Sequence, residues 1–482
     1  MQYIENDEEF GEIDYIAVLD ALEVRPDGGE TDQTQWVLDA IPCATLDQLG
    51  ALKNLDASRT DSPTIDFFLL TLQNKNNLIQ QIPRLNGHVH VTVSRQSRGG
   101  DDEIVAFATG LNGIDNNNIQ YFVRIHQAPP SKRYIKTLEE LSKFSHIADS
   151  ENLSAFSVSE HAVAVAVYDV GQGSMCALVN LYEHPLMFFD LGWPLSFFPN
   201  SIPATHSHFN PFPDGLNSNN SPTPVVLSHL DWDHWAYAYE SGSARWDAKI
   251  GAWKTIANYK PKALARPWLI RRPDFRRHKL GGSHIHFVQT LAKTIVNSSP
   301  VLHFWPKRKR IANLGLVTVF ACSPAKKTPK TAAFLRNNQG LGMLVNDIES
   351  SARVLLAGDA DFPSIPLFAK KRLTGLVATH HGGKVTLGSI PIATGHGRMV
   401  ISAFPNCYPN IPHPDVETEA RKGGWQIAYT SERRPCFRYN KDVQCGNRLI
   451  RLSATPMCGC DEVPKACLCI SRAPDTSPFI PS

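Results

Sequence analysis

From about residue 156 the chain carries a succession of short, largely apolar runs, at 162–168, 175–182, 186–190, 224–228, 316–321, 341–345, 353–357, 376–379, 399–403 and 425–430. Runs this short and this uniformly apolar read as strands covered on both faces. Helical stretches fall between several of them. The pattern predicts an α/β domain over 156–455, built from two sheets covered by helices. With 482 residues in the chain, two or three domains are expected.

Residues 1–150 read as a separate β-rich module. Its clearest feature is a hairpin pattern, His88-Val-His-Val-Thr-Val93 and Glu103-Ile-Val-Ala-Phe-Ala108, joined by the polar, glycine-containing Ser97–Asp102. Tyr121–His126 predicts a further strand and 134–147 a connecting helix. No chemical signature stands out in this module. His88 and His90 alternate along a strand, which points to an ordinary strand face. The tail, 456–482, is cysteine-rich. Cys458, Cys460, Cys467 and Cys469 could hold a structural zinc as four thiolates, although their C-x-C spacing is tighter than usual.

Three of the apolar runs end in metal-ligand residues. Val225-Val-Leu-Ser228 is followed by His229, Asp231, Asp233 and His234 within six residues. Val354-Leu-Leu-Ala-Gly358 leads into Asp359, and Leu376-Val-Ala-Thr379 into His380 and His381. A strand end followed by a tight loop and a helix start can aim several side chains at one point. Imidazole and carboxylate together suit zinc, manganese or iron. A carboxylate such as Asp359 can bridge two cations. Three strands ending this way are hard to explain as core or as chance surface.

These segments resemble the metallo-β-lactamase superfamily, and within it the hydrolase domain of the ComEC competence proteins, over roughly 160–455. Further landmarks are Asp169-Val-Gly-Gln-Gly-Ser174, Phe189-Asp-Leu-Gly192, Asn337-Asn338 and Ile411-Pro-His-Pro-Asp415. The resemblance implies a metallo-β-lactamase αββα sandwich with an additional β-rich N-terminal domain. It implies one or two divalent ions, zinc or manganese. His229 and Asp231 would lie at one metal position and Asp233 and His234 at the other. Asp359 would bridge, and His380 or its neighbour His381 would complete the second position. Asp169, Asp190 and Asn338 would support these loops from behind, and His413 would sit near the substrate. Position 174 is Ser where the family pattern has Asp, and Ala321-Cys-Ser-Pro324 stands where many members supply a histidine.

The ComEC proteins are embedded in membranes, whereas no run here approaches the ~18 apolar residues a bilayer requires. The acidic start, Met1–Phe10, lacks the features of a secretory signal. Both observations predict a cytoplasmic chain with reduced thiols. What carries over is action on nucleic-acid phosphodiesters.

Charge supports the same expectation. The net of +2 hides 14 acidic and 3 basic residues in 1–60, against 18 basic and one acidic in 251–336. Arg271, Arg272, Arg276, Arg277 and Lys279 form one basic cluster, and Lys307, Arg308, Lys309 and Arg310 another. Such clusters bind phosphates through counterion release. Trp268, Phe275, Phe304 and Trp305 would stack on bases.

The function expected is therefore a nuclease or phosphodiesterase. In it the cations activate a bound water, Asp233 orients or deprotonates that water, and His413 stabilises developing charge. The alternatives are a metallo-hydrolase of a small molecule, such as a cyclic nucleotide, ester or lactone, and a nucleic-acid-binding scaffold with a degenerate metal site. The acidic N-terminal module is a candidate surface for a partner protein.

Overall fold

The computed structural model describes residues 11–24, 34–52, 64–73, 87–110, 113–114, 119–145, 147–159, 161–181, 184–193, 210–212, 222–325, 331–347, 349–403, 411–436 and 440–452. Within these, the side chains of 20–24, 34–35, 113–114, 276, 434–436 and 440–445 lie outside the described set. So do the tail cysteines Cys458, Cys460, Cys467 and Cys469. The chain divides into two compact units. The first draws on Met1–His146, Glu240–Asn258 and Pro273–Lys293, and the second on Ile147–Tyr239, Tyr259–Arg272 and Thr294–Ser482.

The first unit is a closed barrel. Its strands are β1 (Ile13–Val24), β2 (Thr34–Pro42), β3 (Phe68–Gln73), β4 (His88–Ser94), β5 (Glu103–Gly110) and β6 (Gln120–Ile125). They run in the order β3-β2-β1-β4-β6-β5, and the pairing of β3 with β5 closes the ring. The alternation of the sequence explains the closure. Tyr15, Ala17 and Leu19 of β1 and Val89, Val91 and Val93 of β4 fill the interior, so Asp14, His90 and Thr92 fall on the outer face. The expected hairpin does not form. β4 and β5 are not partners, because β6 lies between them and pairs with both. The chain distant in sequence is part of this unit. Trp253 N donates to Tyr15 Oη at 3.1 Å, and Asp39 accepts Ser283 N at 3.0 Å at the start of the helix Gly282–Lys293.

The second unit holds two seven-stranded sheets. One runs Leu302–Phe304, Trp268–Ile270, Val225–Leu227, Pro185–Leu191, Met175–Val179, Ala164–Val167, Arg448–Arg451. The other runs Ile311–Leu314, Val317–Ala321, Leu341–Asn346, Arg353–Leu356, Leu373–Val377, Ala393–Ile401, Trp425–Tyr429. Cys176, Phe189, Val226 and Leu269 of the first share one buried core with Val319, Met343, Val354 and Val400 of the second.

The expected αββα sandwich is overturned. The described residues are β-rich, 39% strand against 22% helix, with a closed six-stranded barrel and several sheets. Local sequence explains why helix layers do not form. Asp361-Phe-Pro-Ser-Ile-Pro366 permits only a single 3-10 turn, Phe362–Ser364, because each proline removes a backbone donor. Where a helix start was expected to follow the strand end and tight loop, Trp232–His234 and Ala236–Ala238 form two short 3-10 turns. The aromatic-rich Tyr239–Asp247 then continues as strand. Among the described residues no helix is long and apolar enough to cross a membrane.

Candidate metal centre

Three strands of the second unit, Val225–Leu227 in one sheet and the parallel pair Arg353–Leu356 and Leu373–Val377 in the other, release their chains into the loops that carry the predicted ligands. The loop after the first is pinned by Asp190, which sits in the left-handed region at φ 63° and is fully buried. Asp190 accepts Ser228 N at 2.7 Å, Ser228 Oγ at 2.9 Å and Ser174 Oγ at 3.1 Å. It also takes His234 Nδ1 at 2.8 Å. The second loop comes so close to the first that Gly358, at φ 54°, has no room for a side chain; a Cβ there would lie 2.5 Å from Ser228 Oγ. The third loop turns sharply through His380 and His381, at φ 51° and 52°. Two successive non-glycine residues in that region cost roughly 1–2 kcal/mol each.

The result is a convergence on Asp359. Its carboxylate lies 3.2 Å from His234 Nε2 and 3.9 Å from the Nε2 atoms of His229, His380 and His381. Three of these imidazoles are held through the opposite nitrogen. Nδ1 of His229 meets Ser228 Oγ at 3.0 Å, Nδ1 of His234 meets Asp190, and Nδ1 of His381 meets the Ser402 carbonyl at 2.8 Å. Fixing Nδ1 in this way is how proteins orient ligating histidines. The Nε2 atoms of His229 and His234 are buried and make no hydrogen bond of good geometry, although His234 Nε2 faces Asp359 at 3.2 Å, an arrangement that costs free energy unless something else satisfies them.

Two triads follow from this geometry, the buried His229–His234–Asp359 and Asp233–His234–His381, which is part-exposed at Asp233, and they share His234. Each could hold a metal ion. Electrostatics agrees. Burial opposes charge on His234 and His381. Asp359, Asp233 and Asp190 raise the first nonetheless, and a hydrogen bond to Asp233, with Asp359 nearby, raises the second. Burial would push Asp359 up, but His234, His380 and His229 hold it well below the usual carboxylate range. Clustered carboxylates are thus drawing positive charge onto neighbouring imidazoles, the compensation a cation would otherwise supply.

The predicted residues fall unevenly around this centre. Asp233 lies 3.1 Å from His381 Nε2. His381 is buried and His380 is 43% exposed, so the triad containing Asp233 takes His381. Asp231 is 3.5 Å from His229 Nε2, but its other oxygen accepts Arg336 Nε at 2.6 Å. His413 caps the helix Pro414–Lys422 through Nδ1, and its N–H donates to Gly382 O at 2.8 Å, which ties it to the histidine turn. Asn338 Oδ1 accepts Asp361 N at 2.9 Å, two residues beyond Asp359. Asp169 accepts Arg433 Nε at 2.7 Å. Ser402 and Arg336 were not expected. Arg336 had a signal, its place beside Asn337-Asn338, whereas Ser402 contributes only a carbonyl and had none.

The basic clusters divide. Arg271 donates to the carbonyls of Cys322 and Gln339, and Arg272 to Ile147 O and Asp149, so both serve the fold. Arg277 is exposed and ion-paired with Asp274, and Lys279 is half-buried. Lys307, Arg308 and Arg310 are exposed and Lys309 is half-buried. The Arg276 side chain lies outside the described residues. Trp268, Phe275, Phe304 and Trp305 are all buried and cannot stack on bases while the fold is intact. No protein-family model, curated protein or solved structure matches the chain.

Proposed function

We propose that the chain is a metal-dependent hydrolase that cleaves nucleic-acid phosphodiesters. The observation that carries this reading is the pair of triads sharing His234, one buried and one part-exposed at Asp233, with imidazole nitrogens facing carboxylates at the ends of three strands. Either His229, His234 and Asp359 or Asp233, His234 and His381 would hold a zinc or manganese ion, because His234 has only Nε2 free and that nitrogen can ligate one ion at a time. When bound, the metal supplies an activated water and polarises the scissile phosphoryl group.

The chain's own residues complete the chemistry. Asp233 is part-exposed at the centre, where a carboxylate can orient the attacking water and take its proton. His413 accepts Asp415 N through Nδ1 at 3.2 Å, which leaves its proton on Nε2 to stabilise charge on the substrate. The exposed Lys307, Arg308 and Arg310 supply phosphate contacts.

Small-molecule hydrolysis is the second reading. It is favoured by the burial of Trp268, Phe275, Phe304 and Trp305, which removes the expected base-stacking platform. The test incubates the purified full chain with labelled single- and double-stranded DNA and RNA, in manganese, zinc or EDTA. Metal-dependent cleavage supports the nuclease. Cleavage of small phosphodiesters or esters alone supports the second reading, and salt-sensitive binding without cleavage overturns both in favour of a scaffold.

A further inference from the structure

The outer face of the barrel carries another convergence of ligand-type side chains, sharing no residue with the centre above. β1, β4 and β6 are neighbours. Asp14 stands opposite Thr92 and Ile16 opposite His90, so Asp14 and His90 are diagonal on one face. His126 follows β6 directly, and its N–H donates to His90 O at 2.9 Å, extending the ladder by one residue. The two imidazoles stack with ring centroids 4.4 Å apart and planes 21° from parallel. His90 Nε2 is 3.2 Å from Asp14 Oδ1, and one ligand atom from each of Asp14, His90 and His126 lies within 4.8 Å of the other two.

We infer that Asp14, His90 and His126 form a separate binding site for a divalent transition-metal ion, which clasps β1, β4 and β6 together. Two imidazoles and one carboxylate are a facial donor set for borderline metals such as zinc, cobalt or nickel. The donors come from three adjacent strands, so backbone pairing fixes their spacing in advance and little side-chain order is lost on binding. Thr92 Oγ1 donates to Asp14 at 3.0 Å, the kind of supporting hydrogen bond that ligating carboxylates receive. Arg124, on the same face two residues before His126, is paired with Asp102 at 2.9 Å and Glu12 at 3.5 Å, so its charge is already compensated. Asp14 is exposed and the imidazoles half-buried, which admits an ion from solvent without opening the barrel.

The rival is a plain hydrogen-bond relay. Thr92 Oγ1 also lies 2.5 Å from His126 Nε2, so the same groups can pass from His126 through Thr92 to Asp14 without metal. Zinc per chain, counted by mass spectrometry after stripping with EDTA and dialysis against zinc chloride, separates the two. The double variant His90→Ala/His126→Ala is expected to bind one zinc fewer than the unaltered chain. The variant His229→Ala/His234→Ala is expected to bind one more than the variant carrying all four changes. Equal stoichiometry in either comparison overturns the site. Where the double variant fails to fold, Asp14→Asn changes only an exposed side chain, and it should weaken this zinc at least tenfold in titration calorimetry of the His229→Ala/His234→Ala chain. Unchanged affinity there rejects the proposal.

Discussion

Asp190 takes Nδ1 of His234 at 2.8 Å, and neither side chain reaches solvent. The carboxylate therefore decides which imidazole nitrogen faces Asp359. Asp190→Asn keeps the shape but removes the charged acceptor, and changes of this kind cost 10–100-fold in metal affinity. Zinc or manganese titration should show that loss, with the circular-dichroism spectrum unchanged. Retained affinity would mean that Asp190 is only a fold residue.

Asp233 and His229 each belong to a triad. Asp233→Ala or His229→Ala is expected to abolish phosphodiester cleavage while the melting temperature stays within a few degrees. Full activity in either would remove the centre from the chemistry.

The adjacent histidines should differ. His381 is buried, anchored to Ser402 and 3.1 Å from Asp233, whereas His380 is 43% exposed and 3.9 Å from Asp359. His381→Ala is expected to lower metal content and kcat by about two orders of magnitude, and His380→Ala by no more than about tenfold. The reverse ranking, read from steady-state kinetics, would reassign the ligand.

Gly358 combines a left-handed backbone with a Cβ position 2.5 Å from Ser228 Oγ. Gly358→Ala should destabilise the chain by about 2–4 kcal/mol, from backbone strain and overpacking together. A denaturation midpoint equal to that of the parent would show that the loop relaxes freely.

Burial lowers His88 and His286 to about 4, from an ordinary 6.5. Below pH 6.5 the unfolded chain takes up protons at both positions while the folded chain does not. Stability should therefore fall as pH drops from 6.5 toward 4, by about 3 kcal/mol for each histidine across that window. Urea unfolding of His88→Gln should show a shallower loss over the same interval. An identical pH profile would count against the assignment.

Much of the second unit was legible because buried strands announce themselves. The runs at 341–345 and 353–357 match strands Leu341–Asn346 and Arg353–Leu356. The ligand loops were legible for a related reason, since Val225–Leu227 must end where Ser228-His229 begins to supply polar atoms. What covers the sheets was not legible. A helix and a 3-10 turn share apolar spacing, and only the prolines at 363 and 366 separate them. The barrel was half legible. Alternation marked β4 and β5 as strands, but their partners depend on pairings such as Leu70 with Ala108, which no local pattern encodes. Burial misled most. Arg271 and Trp268 look like a nucleic-acid surface in sequence and serve as carbonyl clamp and core in space. His126 and Asp14 escaped notice because 112 residues of chain separate them and only register joins them.

The barrel's dependence on three separate stretches of chain limits how this protein can be cut or recombined. A fragment beginning at residue 156 would carry Glu240–Asn258 and Pro273–Lys293 without the strands they pack on. Trp253 would lose its edge contact with Tyr121, and the helix Gly282–Lys293 its Asp39 cap. Excising residues 1–150 alone would strip the barrel of the same props. Because Glu240–Asn258 and Pro273–Lys293 lie inside the stretch that builds the second unit, the two units have to be expressed and engineered as one chain.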